Sequence, residues 1–178
     1  MAIQQKGSQF EREICVKMSE WVTGGQKQDV FWRNSMSGGR ATVFKKKGSL
    51  FRQSGDICAI APEGHALTDT YYFELKHYKN LDFAPFLVKG KGVLTEFWRR
   101  TIVEANTYRL IPILIVKQNR MPILWISQIG QTPLHWTRNS RSWRLEVVHR
   151  KCMIYRFQDI MASDYVVTPR AKNTRIRL

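Results

Sequence analysis

The run Ile111-Pro-Ile-Leu-Ile-Val116 is apolar without a break. A half-wet strand alternates, whereas a strand that is apolar at every position has both faces covered. The segment therefore predicts a buried strand in a layered domain, with Pro112 near its start because proline cannot donate to a ladder. The segments before it read as helix and strand in turn. From about Gln9 to Val22, Phe10, Ile14, Cys15, Met18, Trp21 and Val22 fall within an arc of about 140° at about 100° per residue, one apolar face of a helix. Glu11 falls inside that arc, where an unpaired carboxylate is costly to bury. Ser8-Gln-Phe-Glu11 matches a capping box, with Ser8 as N-cap. Glu11 is thus open to two readings, cap or functional site.

Val30–Arg33 reads as a short strand, Asp56–Ile60 as another, and Thr70–Tyr78 as a third rich in β-formers. With Pro62-Glu-Gly-His65 as a turn, the last two are expected to pair as a hairpin. Leu94–Tyr108 reads as a helix, Ile123–Ile126 as a strand, and Leu145–Val148 with Met153–Phe157 as a further hairpin. This order predicts an α/β (α+β) domain, a mixed central sheet flanked by helices. One domain is expected over 1–168, with the chemical motifs within 6–127 and a β-rich extension over 128–168. A basic, flexible tail is expected over 169–178.

Charge narrows the partner. The 178 residues hold 29 Lys and Arg against 14 Asp and Glu, a net +15 at pH 7. Such an excess favours a polyanion, because each neutralised phosphate releases counterions. Residues 24–54 carry seven basic residues and one acid, Asp29. There Arg33, Arg40, Lys45, Lys46, Lys47 and Arg52 are candidates for phosphate contacts, with Lys6, Lys89 and Lys91 elsewhere. A solvated basic loop is the plainer alternative. An anionic membrane is a weaker partner, since no strongly amphipathic basic helix is evident. No apolar run reaches about 18 residues and the N-terminus has no signal-like apolar stretch. Cys15, Cys58 and Cys152 are odd in number and form no C-x-x-C pair, and four scattered histidines suggest no metal cluster. A soluble protein of a reducing compartment is expected.

Period-two geometry puts Tyr72, Glu74, Lys76 and Tyr78 on one face of their strand, Glu74 and Lys76 about 7 Å apart. Asp56 on a neighbouring strand can reach the same spot. Two carboxylates suit a hard divalent cation such as Mg²⁺, which takes phosphate oxygens as further ligands. A lysine beside them can orient water or stabilise the charge that builds on phosphorus oxygens. Read alone, Glu-x-Lys on a strand is an ordinary surface ion pair. The inward Glu11, Gly55-Asp56 and the basic charge give it weight together.

Gly55-Asp56 … Glu74-Leu75-Lys76 resembles the PD-(D/E)XK nuclease superfamily, most of all the archaeal-type Holliday-junction resolvases and their viral relatives. Lys6-Gly-Ser-Gln-Phe-Glu11-Arg-Glu-Ile resembles the opening of that family, and Ile111–Lys117 its later strand. The resemblance implies a restriction-endonuclease-like core. It implies Asp56, Glu74, the Leu75 carbonyl and Glu11 as metal ligands, and Lys76 as catalytic lysine. It further implies Mg²⁺, replaceable by Mn²⁺, and a homodimer cutting branched DNA in recombination or repair. The setting would be cytoplasmic, on the nucleoid or on viral DNA in a host cell. Departures are the glycine before Asp56, the long interval between the first helix and Asp56, and residues 128–178, which match nothing in the family. A restriction- or repair-type nuclease on linear or damaged duplex is the rival enzyme. A non-catalytic nucleic-acid-binding protein is the rival outside the enzymes.

Overall fold

The computed structural model describes residues 2–34, 55–132 and 143–165, apart from the side chains of residues 2–6 and of His149. Helix α1 (Ala2–Val22) is followed by β1 (Phe31–Arg33), β2 (Ile57–Ala59), α2 (Pro62–Thr68) and β3 (Tyr71–Tyr78). Then come α3 (Phe83–Lys89), α4 (Val93–Tyr108), β4 (Ile111–Gln118) and β5 (Leu124–Gln128). β6 (Arg144–Val147), a 3₁₀ turn, β7 (Cys152–Arg156) and α5 (Phe157–Met161) complete the described chain.

Five strands form one sheet in the order β3-β4-β5-β7-β6. β3 and β4 run parallel, Tyr71 opposite Ile111 through Tyr78 opposite Gln118. The remaining pairs are antiparallel. The α3–α4 crossover makes the parallel pair possible. β4 is the covered strand that its apolar run predicts. Ile113 and Ile115 face α1 with Phe10, Ile14 and Met18. Leu114 and Val116 face Phe86, Leu94 and Trp98 of α3 and α4. The architecture is a mixed α/β core of the restriction-endonuclease-like kind, with β7 and β6 extending the same sheet.

Two expectations are corrected. The Asp56 strand does not form a hairpin with β3. β2 pairs antiparallel with β1, Trp32 opposite Cys58, in a separate two-stranded sheet. Between β2 and β3 lies helix α2, not a turn. Pro62 supplies a preset φ at its start and Glu63 an acid in its first turn. Gly64 lets this helix sit tightly, because a Cβ there would crowd Phe31, Ala59 and Val30. The capping box also fails. α1 begins at Ala2, so Ser8 lies inside it and Glu11 is not an N3 residue. Ala, Gln and Lys before Ser8 are good helix formers, and they carry the helix past the apparent start.

Ser19 ties α1 to β1. Its buried hydroxyl donates to the Cys15 carbonyl (2.7 Å) and accepts from the amides of Val30 (3.1 Å) and Phe31 (3.0 Å). All three cysteines are free. Burial pushes the Cys15 and Cys152 thiols up to about 12, so neither is a ready nucleophile. No helix among the described residues is long and apolar enough to cross a membrane.

Candidate active site

Asp56 sits just before β2 and reaches the exposed edge of β3. Its amide donates to the Phe73 carbonyl (2.8 Å), and its Oδ2 accepts from the Leu75 amide (2.8 Å). The carboxylate thus takes the place that a neighbouring strand's carbonyl would fill. Gly55 makes this approach possible. Its φ is +81°, and a Cβ there would run into the Phe73 carbonyl oxygen. Asn34, buried at the end of β1, braces the same turn. Its amide donates to the Asp56 carbonyl (2.8 Å) and its Nδ2 to the Gly55 carbonyl (3.2 Å).

The β3 alternation brings the rest together. Tyr71, Phe73 and Leu75 face the α1 core, while Glu74 and Lys76 emerge on the other face. The Lys76 ammonium forms an ion pair with Glu74 Oε1 and lies 3.8 Å from Asp56 Oδ2. It also stands 5.8 Å from the centre of the Phe97 ring on α4. Tyr72 donates from its hydroxyl to Glu74 Oε2 (3.3 Å). Glu11, at the middle of α1, has Oε2 3.8 Å from Arg33 Nε.

The electrostatics follow from crowding carboxylates in a half-buried place. Asp56 is 6% exposed, and burial, followed by the nearby Glu74 charge, lifts its pKa to about 7. Lys76 and the Leu75 amide oppose that rise. Burial also raises Glu11; Arg33 and Lys76 counter it, and Glu74 reinforces it. Burial alone would lower the Lys76 pKa, but the Glu74 and Asp56 charges together reverse this and keep it above its usual value. Glu11, Asp56, Glu74, Lys76 and Arg33 therefore share one electrostatic environment.

Among the described residues, no group of three or more His, Cys, Asp or Glu side chains is placed to hold a metal ion. The donor set is two carboxylates, Asp56 and Glu74, beside the Leu75 carbonyl. The Lys76 ammonium already bonds both carboxylates as a cation would. Hard oxygen donors few in number fit Mg²⁺, which keeps waters and takes substrate oxygens instead of a full protein cage.

The structure thus gathers Asp56, Glu74 and Lys76, with the Glu11–Arg33 pair alongside. Lys89 is exposed at the end of α3 and Lys91 in the turn that leads into α4, whose first turns carry Phe97. Arg40, Lys45, Lys46, Lys47, Arg52, residues 169–178 and the side chain of Lys6 lie outside the described residues. The sequence reading gave no role to Asn34, Ser19 or Tyr72. Tyr72 alone carried a signal, its place on the same strand face as Glu74.

No curated protein and no solved structure matches this chain. A family model does match, over residues 2–169. The chain belongs to the family described as phage putative PDDEXK endonucleases.

Proposed function

We propose that this protein is a divalent-metal-dependent DNA endonuclease whose site is Asp56, Glu74 and Lys76, with Glu11 and Arg33 beside them. The convergence of two carboxylates from separate elements on one lysine carries this reading. Asp56, Glu74 and the Leu75 carbonyl would hold Mg²⁺ or Mn²⁺, with Glu11 as an outer carboxylate. A bound divalent ion polarises the scissile phosphate and acidifies water. Displaced from the carboxylates, Lys76 is within reach of an attacking water or of a phosphate oxygen that gains charge. Arg33 is positioned to hold a non-bridging oxygen through its planar fork. Phe97 of α4 packs over the lysine on its own face of β3. Lys89 and Lys91, at the α4 end nearest Phe97, would track the flanking backbone.

A finer reading is a four-way-junction resolvase acting as a homodimer on viral DNA. The resemblance of Lys6–Ile14 and Gly55–Lys76 to that group supports it. Labelled four-way junction, linear duplex and single strand, each with Mg²⁺, Mn²⁺ or chelator, test both levels. Paired symmetric cuts in the junction, with a dimer by light scattering, support the resolvase. Cutting of linear duplex assigns a restriction- or repair-type enzyme. Tight binding without a metal-dependent product on any substrate would leave a binding protein and sink the nuclease reading. Glu74→Ala and Lys76→Ala are expected to lower cutting at least about 10³-fold while retaining DNA affinity. Near-normal cutting by either would place the site elsewhere.

A further inference from the structure

We infer that Tyr72 is a positioning residue for the Glu74 carboxylate, an inference that rests on the metal-dependent reading of the site. Tyr72 is 5% exposed, and its ring stacks on Tyr108 of α4 with centroids 6.1 Å apart and planes 15° from parallel. Ala105 and Leu110 close the same small cluster. Phenylalanine would fill this space equally well, so packing does not account for the hydroxyl. The hydroxyl meets Glu74 Oε2 at 3.3 Å, while Oε1 faces Lys76. Glu74 is therefore held at both oxygens, by a neutral donor on one side and a cation on the other.

The two partners differ in what they do when a divalent ion arrives. The ammonium competes with an incoming cation for the same oxygen. The neutral phenol does not, and it continues to fix the carboxylate's rotation. The phenol is itself held by a stack between a strand and the helix that crosses it, so its position is set by the fold and not by the ligand. Partners that hydrogen-bond a ligating carboxylate are commonly worth about 10-fold to 100-fold in metal affinity.

The test is Tyr72→Phe, which keeps the ring and its stack and removes one oxygen. Free Mn²⁺ is followed by electron paramagnetic resonance during titration of the full chain without DNA. The expected result is an Mn²⁺ dissociation constant raised about 10-fold, with an unchanged circular-dichroism spectrum. The Mg²⁺ concentration for half-maximal cutting should rise in parallel, and the rate at saturating Mg²⁺ should recover. Tyr71→Phe, on the opposite strand face, is the matched control and should leave Mn²⁺ affinity unchanged. In a Glu74→Asp background, whose shortened side chain is out of the hydroxyl's reach, Tyr72→Phe should have no effect on residual Mn²⁺ affinity. Equal Mn²⁺ affinity in Tyr72→Phe and the parent overturns the inference, as does an equal loss in the Glu74→Asp background. A parent chain that neither binds Mn²⁺ nor cuts DNA in any metal would instead overturn the nuclease reading beneath it.

Discussion

At the residue scale the site stores unfavourable electrostatics that a cation can relieve. Asp56 has a folded-state pKa raised from 3.8 to about 7 by burial and then by Glu74. A raised pKa means the folded chain holds this proton more tightly than the unfolded chain. The resulting stability is fully present below about pH 4 and is lost as pH rises through about 7. Thermal melts of the metal-free protein should therefore fall over that window, and Asp56→Asn should flatten the Asp56 contribution to the fall. At pH 8 in chelator, Asp56→Asn is expected to melt about 2–4 °C above the parent; a lower melting point would mean the carboxylate is not strained. A divalent ion bound there as proposed would have to displace the same proton, so Mn²⁺ affinity should climb between pH 5.5 and 7 and level off above it. A flat profile across that range would contradict the Asp56 environment described. Gly55→Ala sets a Cβ against the Phe73 carbonyl at a φ of +81°. It should cost about 2–4 kcal/mol in urea denaturation, and an unchanged midpoint would show the turn to be forgiving.

At the element scale, periodicity was readable wherever one element faces one core. α1 and α4 follow from the 3.6-residue spacing of their apolar side chains, β3 from its β-forming residues and β4 from its unbroken apolar run. The failures were short elements. β2 has three residues and α2 seven, too few for a period to show, so an intervening helix was read as a turn. The start of α1 failed for another reason: a local capping pattern at Ser8 competed with helix-forming residues ahead of it, and the longer helix won. α1 matters to the site because it carries Glu11, three residues from Ile14. Ile14 is fully buried against the sheet. Ile14→Ala should remove about 2–5 kcal/mol of stability, read from the urea midpoint; a cost below about 1 kcal/mol would mean that the α1 interface repacks freely.

At the scale of the whole molecule, the net charge of +15 opposes compaction and favours a polyanion. DNA affinity should fall steeply with salt, by about 0.9 in log units per log unit of salt for each phosphate neutralised. A total slope steeper than about −3 is expected in fluorescence anisotropy on a duplex. A slope near zero would remove the phosphate-contact reading of the basic surface and leave the carboxylate site untouched. The sheet explains how such a basic chain gathers acids in one place. Its core is closed on both faces by α1 and α4, and the carboxylates gather at the β3 edge, where Lys76 and Arg33 offset their repulsion.

Sequence alone determined the layered α/β class, the buried β4 and the candidate set Glu11, Asp56, Glu74 and Lys76. Those depend on local spacing and residue chemistry, which a chain displays before it folds. Tertiary structure decided how Asp56 reaches Glu74. It does so by docking its own carboxylate on the Leu75 amide at the edge of β3, with no hairpin between the strands. It also decided that Glu11 meets Arg33, that Ser19 pins β1 to α1, and that Tyr72 bonds Glu74 over a stack on Tyr108. Apart from the Tyr72–Glu74 bond within β3, these contacts join residues from different elements at close range. Side-chain direction and strand pairing set them, and neither is encoded in the spacing of a single segment.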